Sequence, residues 1–216
     1  MFHSPVFDCL YSRKGMICLN TTRLIFLLLF VIGGHSFYLI NLTLVTLLTY
    51  LIYLATALMC NTADKVNNII LTGLVFDHLF MGSNSSSIII YFFCSVLIVS
   101  YLSSGLLKIH EMGWRNGTHL KHVIIARNYD RPYLVKRLLP MKKIIFKIAS
   151  CNVIIWQLTS FLIPLLPLPI FYFYFFFCIT FHILTGVLLK LNSFIWTFTS
   201  LLPTLIYVHE KISSCL

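Results

Sequence analysis

The stretch YLSSGLLKIHEMGWRNGTHL, residues 101–120, decides how this chain is read. It begins as an apolar run able to sit in lipid and closes that run with Lys108 and His110. It then turns polar through Trp114, Arg115, Asn116 and Gly117. Lys108 is either a membrane anchor or a group that does chemistry at the bilayer, and the surrounding sequence bears on the choice.

The whole chain is apolar. Of its 216 residues 59% are hydrophobic and only 10% charged, with a mean hydropathy of +0.91. Soluble domains carry about 25% charged residues, so an all-α, polytopic membrane bundle is expected. The net charge of +10 is read as positive-inside orientation and contact with anionic headgroups, not as nucleic-acid binding. Seven cysteines lie scattered without CxxC or Cys/His spacing, which argues against a disulfide framework or a metal site. A Cys9 to Cys18 bridge is conceivable, and a reducing cytoplasm disfavours it.

Seven apolar segments can be drawn outward from that stretch, at roughly 24–38, 40–60, 67–82, 88–108, 144–163, 166–189 and 192–208. The expectation is six to seven spans, since one long tilted helix over 24–60 is the alternative to a break at GGHS, 33–36. Residues 1–23 hold Arg13, Lys14 and Arg23 with no small-residue cleavage site, so they read as a cytoplasmic segment and not a signal peptide. The 109–143 loop carries eight Lys/Arg, whereas the turns at 33–36, 82–87 and 164–169 carry none. That alternation puts the N-terminus and the basic loop in the cytoplasm of a multi-pass cell-membrane protein. A single domain over 24–208 and a short tail over 209–216 complete the expected organisation.

Within the basic loop, Leu120, Val123, Ile124 and Arg127 fall at i, i+3, i+4 and i+7, a mostly apolar stripe. The pattern predicts an amphipathic helix in the membrane interface, ended by Pro132. A solvated linker is the alternative.

Ionisable groups within the spans are few: Asp77, His78, Lys108, Lys147 and His182. Each costs about 2.5–3.5 kcal/mol at mid-membrane on insertion scales and so needs a partner or a cavity. Lys147 is expected to snorkel beside Lys142 and Lys143. Lys108 differs, because Tyr101 and Gly105 share its helical face and Ser104 lies one turn before it. A small, polar face packs against another helix, and a lysine held there loses hydration and becomes suited to a base's role. Asp77 is its expected counter-charge, His182 a second proton-handling group and Gln157 a helix-to-helix glue residue.

The 101–120 stretch also resembles the signature of the horizontally transferred transmembrane (HTTM) domain family: Tyr, a small residue, Gly, Lys, a gap, then Trp, Arg or Glu, Gly. That family includes the membrane part of vitamin K-dependent gamma-carboxylase and compact bacterial proteins such as sporulation-delaying protein B (SdpB). The stretches ATALMCNTADKVNNIILTGLVF and FHILTGVLLKLNSFIWTFTSLLP resemble further family segments in the right order. The resemblance implies that Lys108 matches the base that deprotonates reduced vitamin K, and His182 the family histidine. His78 is a candidate for a second histidine. Trp114, Arg115 and Gly117 match the turn after the catalytic helix, and Gly105 the close-packing position. Tyr101, Gly105, Trp114 and Arg115 would line the place of a quinone-like molecule, although the residues themselves demand no cofactor.

The large lumenal domain of the carboxylase has no counterpart in this sequence, and Gln157 stands where an acid is often found. Gamma-carboxylation itself is therefore not expected. SdpB-like relatives imply a role in maturing a small secreted peptide, toxin- or bacteriocin-like. Its expected partners are membrane lipids, a peptide precursor and other maturation proteins, with no nucleic acid. The alternatives are a carboxylase-like membrane enzyme using Lys108 as base on a lipid-soluble, quinol-like substrate, and, last, a transporter subunit, for which no internal repeat is evident.

Overall fold

The computed structural model describes residues 12–32, 38–55, 62–80, 86–128, 130–138 and 140–215. The GGHS turn, most of the 82–87 turn, Cys9 and Cys60 lie outside them. Every regular element described is helical, with no strand among the described residues. In chain order these are α1 (Arg13–Ile32), α2 (Tyr38–Ala55), α3 (Thr62–Phe80), α4 (Ser86–His110), α5 (Met112–Arg115), α6 (Thr118–Arg127), α7 (Pro132–Leu138), α8 (Lys143–Leu158), a 3₁₀ segment (Ser160–Leu165), α9 (Leu168–Leu189) and α10 (Asn192–Ser213).

Three helical segments, Arg13–Ile32, Ile88–His110 and Leu168–Leu189, are long and apolar enough to cross a membrane, and Tyr38–Leu54 is a shorter apolar helix. At 1.5 Å per residue α4 reaches roughly 37 Å, more than the ~30 Å of a hydrocarbon core. The sixteen residues of α8 reach only about 24 Å, and the 3₁₀ segment prolongs the rod by roughly 12 Å. Hydroxyls along these apolar helices are satisfied locally. Thr46, Thr49, Ser95, Ser100, Thr180 and Thr185 each donate to the carbonyl four residues back, which spares them an unpaired group in lipid.

The chain divides into two compact units, Met1–Ile89 and Ile90–Leu216. In the first, α2 packs against α1 and α3 through buried Leu42, Val45, Ala63 and Val66. In the second, α4, α8, α9 and α10 surround a core of Leu97, Tyr101, Trp156, Phe171, Cys178, His182, Phe198, Leu201 and Leu205.

Several boundaries differ from the sequence reading. Helix α1 begins at Arg13, so the expected 1–23 segment is already helical through its basic residues. Apolar runs mark where lipid begins, not where hydrogen bonding begins. Helix α10 runs through Ser213, and buried His209 stacks on Phe171 at 4.1 Å and lies 2.9 Å from the Leu166 carbonyl. The expected tail is thus helical through Ser213, with His209 packed and most of the residues after it exposed.

The basic loop holds two helices. Helix α6 ends at Arg127, four residues before the expected stop, and Pro132 opens α7 instead of closing α6. Proline lacks only an N–H that a first-turn residue does not need. The apolar face of α6 turns inward: Ile124 is buried, and α6 packs against α8 and α9.

Candidate functional site

Lys108 lies in the last turn of α4, with Ser104 one turn earlier. Its ammonium donates to the Ser104 hydroxyl, to the Ser104 carbonyl (3.4 Å) and to Gln157 Oε1 of α8 (3.0 Å). The Trp114 ring centroid lies 5.3 Å from Nζ, a cation–π distance. These partners are all neutral. The expected counter-charge, Asp77, belongs to the first unit; the ion pairs among the described residues are Glu111 with His119 and Asp130 with Lys190.

Gly105 explains how a polar side chain on α8 reaches the lysine. A Cβ on Gly105 would stand 3.0 Å from the Gln157 Cβ and 3.1 Å from the Leu158 backbone nitrogen. Without that Cβ the two helices close, and Gln157, 3% exposed, is pressed into the seam. Sequence reasoning took Gln157 for glue. It is also the lysine's acceptor.

The turn after α4 is clamped from below. Trp114 and Arg115 end the short α5, and Asn116 Oδ1 accepts from the Thr118 amide (3.0 Å) and hydroxyl (2.6 Å). Gly117 takes the left-handed conformation, φ 78°, and its α carbon abuts the Phe146 and Lys147 backbone. Ser150 Oγ donates to the Trp114 carbonyl at 2.5 Å, and the Cys151 thiol to that of Arg115 at 3.6 Å. The Trp114 ring is thereby held over the ammonium, while the Arg115 side chain is exposed.

Two turns back on the same face of α4, the Tyr101 hydroxyl meets His182 Nε2 of α9 at 2.6 Å. Both residues are buried, at 3% and 1% exposure. His182 stacks on Phe198 at 5.0 Å and 5°, and Tyr101 packs against Trp156 at 4.8 Å. The Cys178 thiol lies beside both Tyr101 and Trp156. His182 Nδ1 and the Trp156 indole nitrogen have no hydrogen-bond partner of ordinary geometry. The sequence reading named Tyr101 and His182 separately; it missed Trp156 and Cys178, whose only signal was their aromatic and apolar surroundings.

Asp77 and His78 sit near the end of α3. Asp77 is half-buried and His78 exposed, its ring 5.2 Å from that of Tyr38. Among the described residues no three His, Cys, Asp or Glu side chains gather as a metal site needs.

The second unit thus carries, on one face of α4, a half-buried amine with neutral acceptors and a buried phenol that meets an imidazole of α9. Compared with protein-family models, curated proteins and solved structures, the chain finds no match in any of the three.

Proposed function

We propose that this chain is a six- to seven-span membrane protein of HTTM, SdpB-like character, with its N-terminus in the cytoplasm, that serves in the maturation of a small secreted peptide. The observation that carries the reading is the seating of Lys108 against Gln157 and Ser104 over the Trp114 ring. An anchoring lysine would extend to the headgroups; this one is turned back into the helix seam. The test is deletion of the gene in a cell that secretes the peptide encoded beside it. Loss of active peptide, restored by the wild-type gene, is expected. Normal peptide from the deletion strain would overturn the proposal.

A second reading is favoured by the neutrality of those partners. A lysine tied to a carboxylate stays protonated, whereas one held by an amide, a hydroxyl and a ring is free to take a proton from a substrate. Under this reading Lys108 is the base of a membrane enzyme acting on a lipid-soluble, quinol-like substrate. Lys108→Arg, which keeps charge but cannot serve as base, is expected to abolish activity while the protein accumulates normally. Full activity in Lys108→Arg would remove the base and leave only a charge. Reporter fusions at each end of the chain test the span count and orientation independently.

A further inference from the structure

We propose that the corner formed by α7 and the first turns of α8 docks the anionic phospholipid headgroups of the adjoining leaflet. The inference rests on the membrane-spanning reading but not on the peptide or on Lys108 chemistry.

Residues 109–147 hold nine Lys/Arg against two acids. The two acids have their ion-pair partners outside those nine, Glu111 with His119 at 3.0 Å and Asp130 with Lys190, while Arg131 adds a weaker attraction to Asp130. Among the described residues no ion pair offsets the positive charge of Lys136, Arg137, Lys142, Lys143 or Lys147. That charge is also concentrated. Met141 N donates to the Leu138 carbonyl at 3.2 Å, a turn that keeps the end of α7 beside the start of α8. Lys136 and Arg137 on one side, and Lys142, Lys143 and Lys147 on the other, are all exposed.

The apolar residues between them select the partner. Along α8, Lys143 and Lys147 form one i, i+4 stripe, and Ile144 and Ile148, 52% and 55% exposed, form the stripe beside it. On α7, Tyr133 is 67% exposed and carries the Arg137 guanidinium 4.9 Å over its ring. Exposed isoleucines next to exposed lysines fit a lipid and water boundary, where tails cover the isoleucines and phosphates meet the ammonium groups. Tyrosine is at home at the same depth. A nucleic acid or an acidic protein would satisfy the charges and leave the isoleucines wet. Each basic side chain close to an anionic leaflet adds to the attraction, which falls with salt.

The test compares thermal unfolding of the full-length protein in phosphatidylcholine nanodiscs with nanodiscs that also contain phosphatidylglycerol. Phosphatidylglycerol is expected to raise the midpoint, and high salt to remove most of the rise. Combining Lys136→Gln, Arg137→Gln, Lys142→Gln, Lys143→Gln and Lys147→Gln is expected to lose at least about half of the rise, given five headgroup contacts removed. Lys65→Gln and Lys211→Gln, exposed lysines elsewhere, are expected to keep it. No rise in the wild type, an undiminished rise in the combined variant, or an equal rise from soluble glycerol phosphate would overturn the proposal. Lipid-dependent stability is read without any peptide, so its failure leaves the maturation reading standing, and the reverse.

Discussion

The Lys108 ammonium and the Gln157 side-chain carbonyl meet at 3.0 Å, where Gly105 lets α4 and α8 close together. A hydrogen bond to a charged group contributes about 1.5–3 kcal/mol, and the half-exposed setting of Lys108 lets water replace part of it. Gln157→Leu is therefore expected to cost about 1–2 kcal/mol, read as a lower unfolding midpoint in detergent. The same change in a Lys108→Met background should cost clearly less, because the ammonium is gone. Equal losses in the two backgrounds would mean that Gln157 acts only through packing.

Two glycines separate backbone strain from simple crowding. A Cβ on Gly117 would meet the Phe146 and Lys147 backbone at 2.4–2.7 Å, on a residue already at φ 78°. Neither obstacle can be relieved by a rotamer. A Cβ on Gly186 would meet Ile195 Cδ1 at 2.1 Å, a side-chain end that can swing away. Gly117→Ala is expected to destabilise by about 2–5 kcal/mol, and Gly186→Ala by about 1–3 kcal/mol. Their unfolding midpoints and yields of folded protein provide the check, and the reverse order would contradict the backbone contact.

How much of this was legible in the sequence follows from what each signal measures. Apolar runs located α4, α9 and α10 to within a few residues over most of their length, because lipid-compatible composition and helix coincide there. They missed the start of α1, since Arg13 and Lys14 are compatible with a helix yet not with lipid. Pro132 reads as a stop because the residue before a proline disfavours the helical region, yet at a first turn proline starts a helix. On α4 the i, i+4, i+7 spacing brought Tyr101, Gly105 and Lys108 to one face. Which partner each would meet depends on α8 and α9, about 50 and 80 residues away, and local periodicity carries no such information. The lysine-accepting role of Gln157, and the places of Trp156 and Cys178, emerge only once the helices are assembled.

Tyr101 and His182 form a buried polar pair, 2.6 Å apart, in an otherwise aromatic core. Tyr101→Phe keeps the ring contacts with Trp156 and Phe198 but leaves the imidazole nitrogen without its partner. An unsatisfied buried group costs about 1–3 kcal/mol, and that loss is expected in the unfolding midpoint. Replacing both members, Tyr101→Phe with His182→Leu, should recover part of it, because neither side of the pair is then left orphaned. A double variant as weak as the sum of the two single ones would show that the pair is not coupled.

Lys190 closes α9 in the left-handed region, φ 55°, where glycine or asparagine is usual. Two contacts hold it there. Asn128 Nδ2 donates to the Leu188 carbonyl at 2.5 Å, and the Lys190 ammonium pairs with Asp130. The hydrogen bond from Lys190 keeps the Asp130 carboxyl below its ordinary value. A carboxylate depressed on folding makes the unfolded chain the stronger proton acceptor in acid, so this contribution is complete above the unfolded value of about 3.9. It disappears as the pH falls through the lower, folded value. The wild type is therefore expected to lose stability on the acid side more steeply than Asp130→Asn, with the two curves parallel near neutrality. Because Asp130 is exposed, the difference should shrink at high salt. Unfolding midpoints across the acid range, at low and high salt, check this; parallel curves at every pH would show that the ion pair leaves the α9 end unaffected.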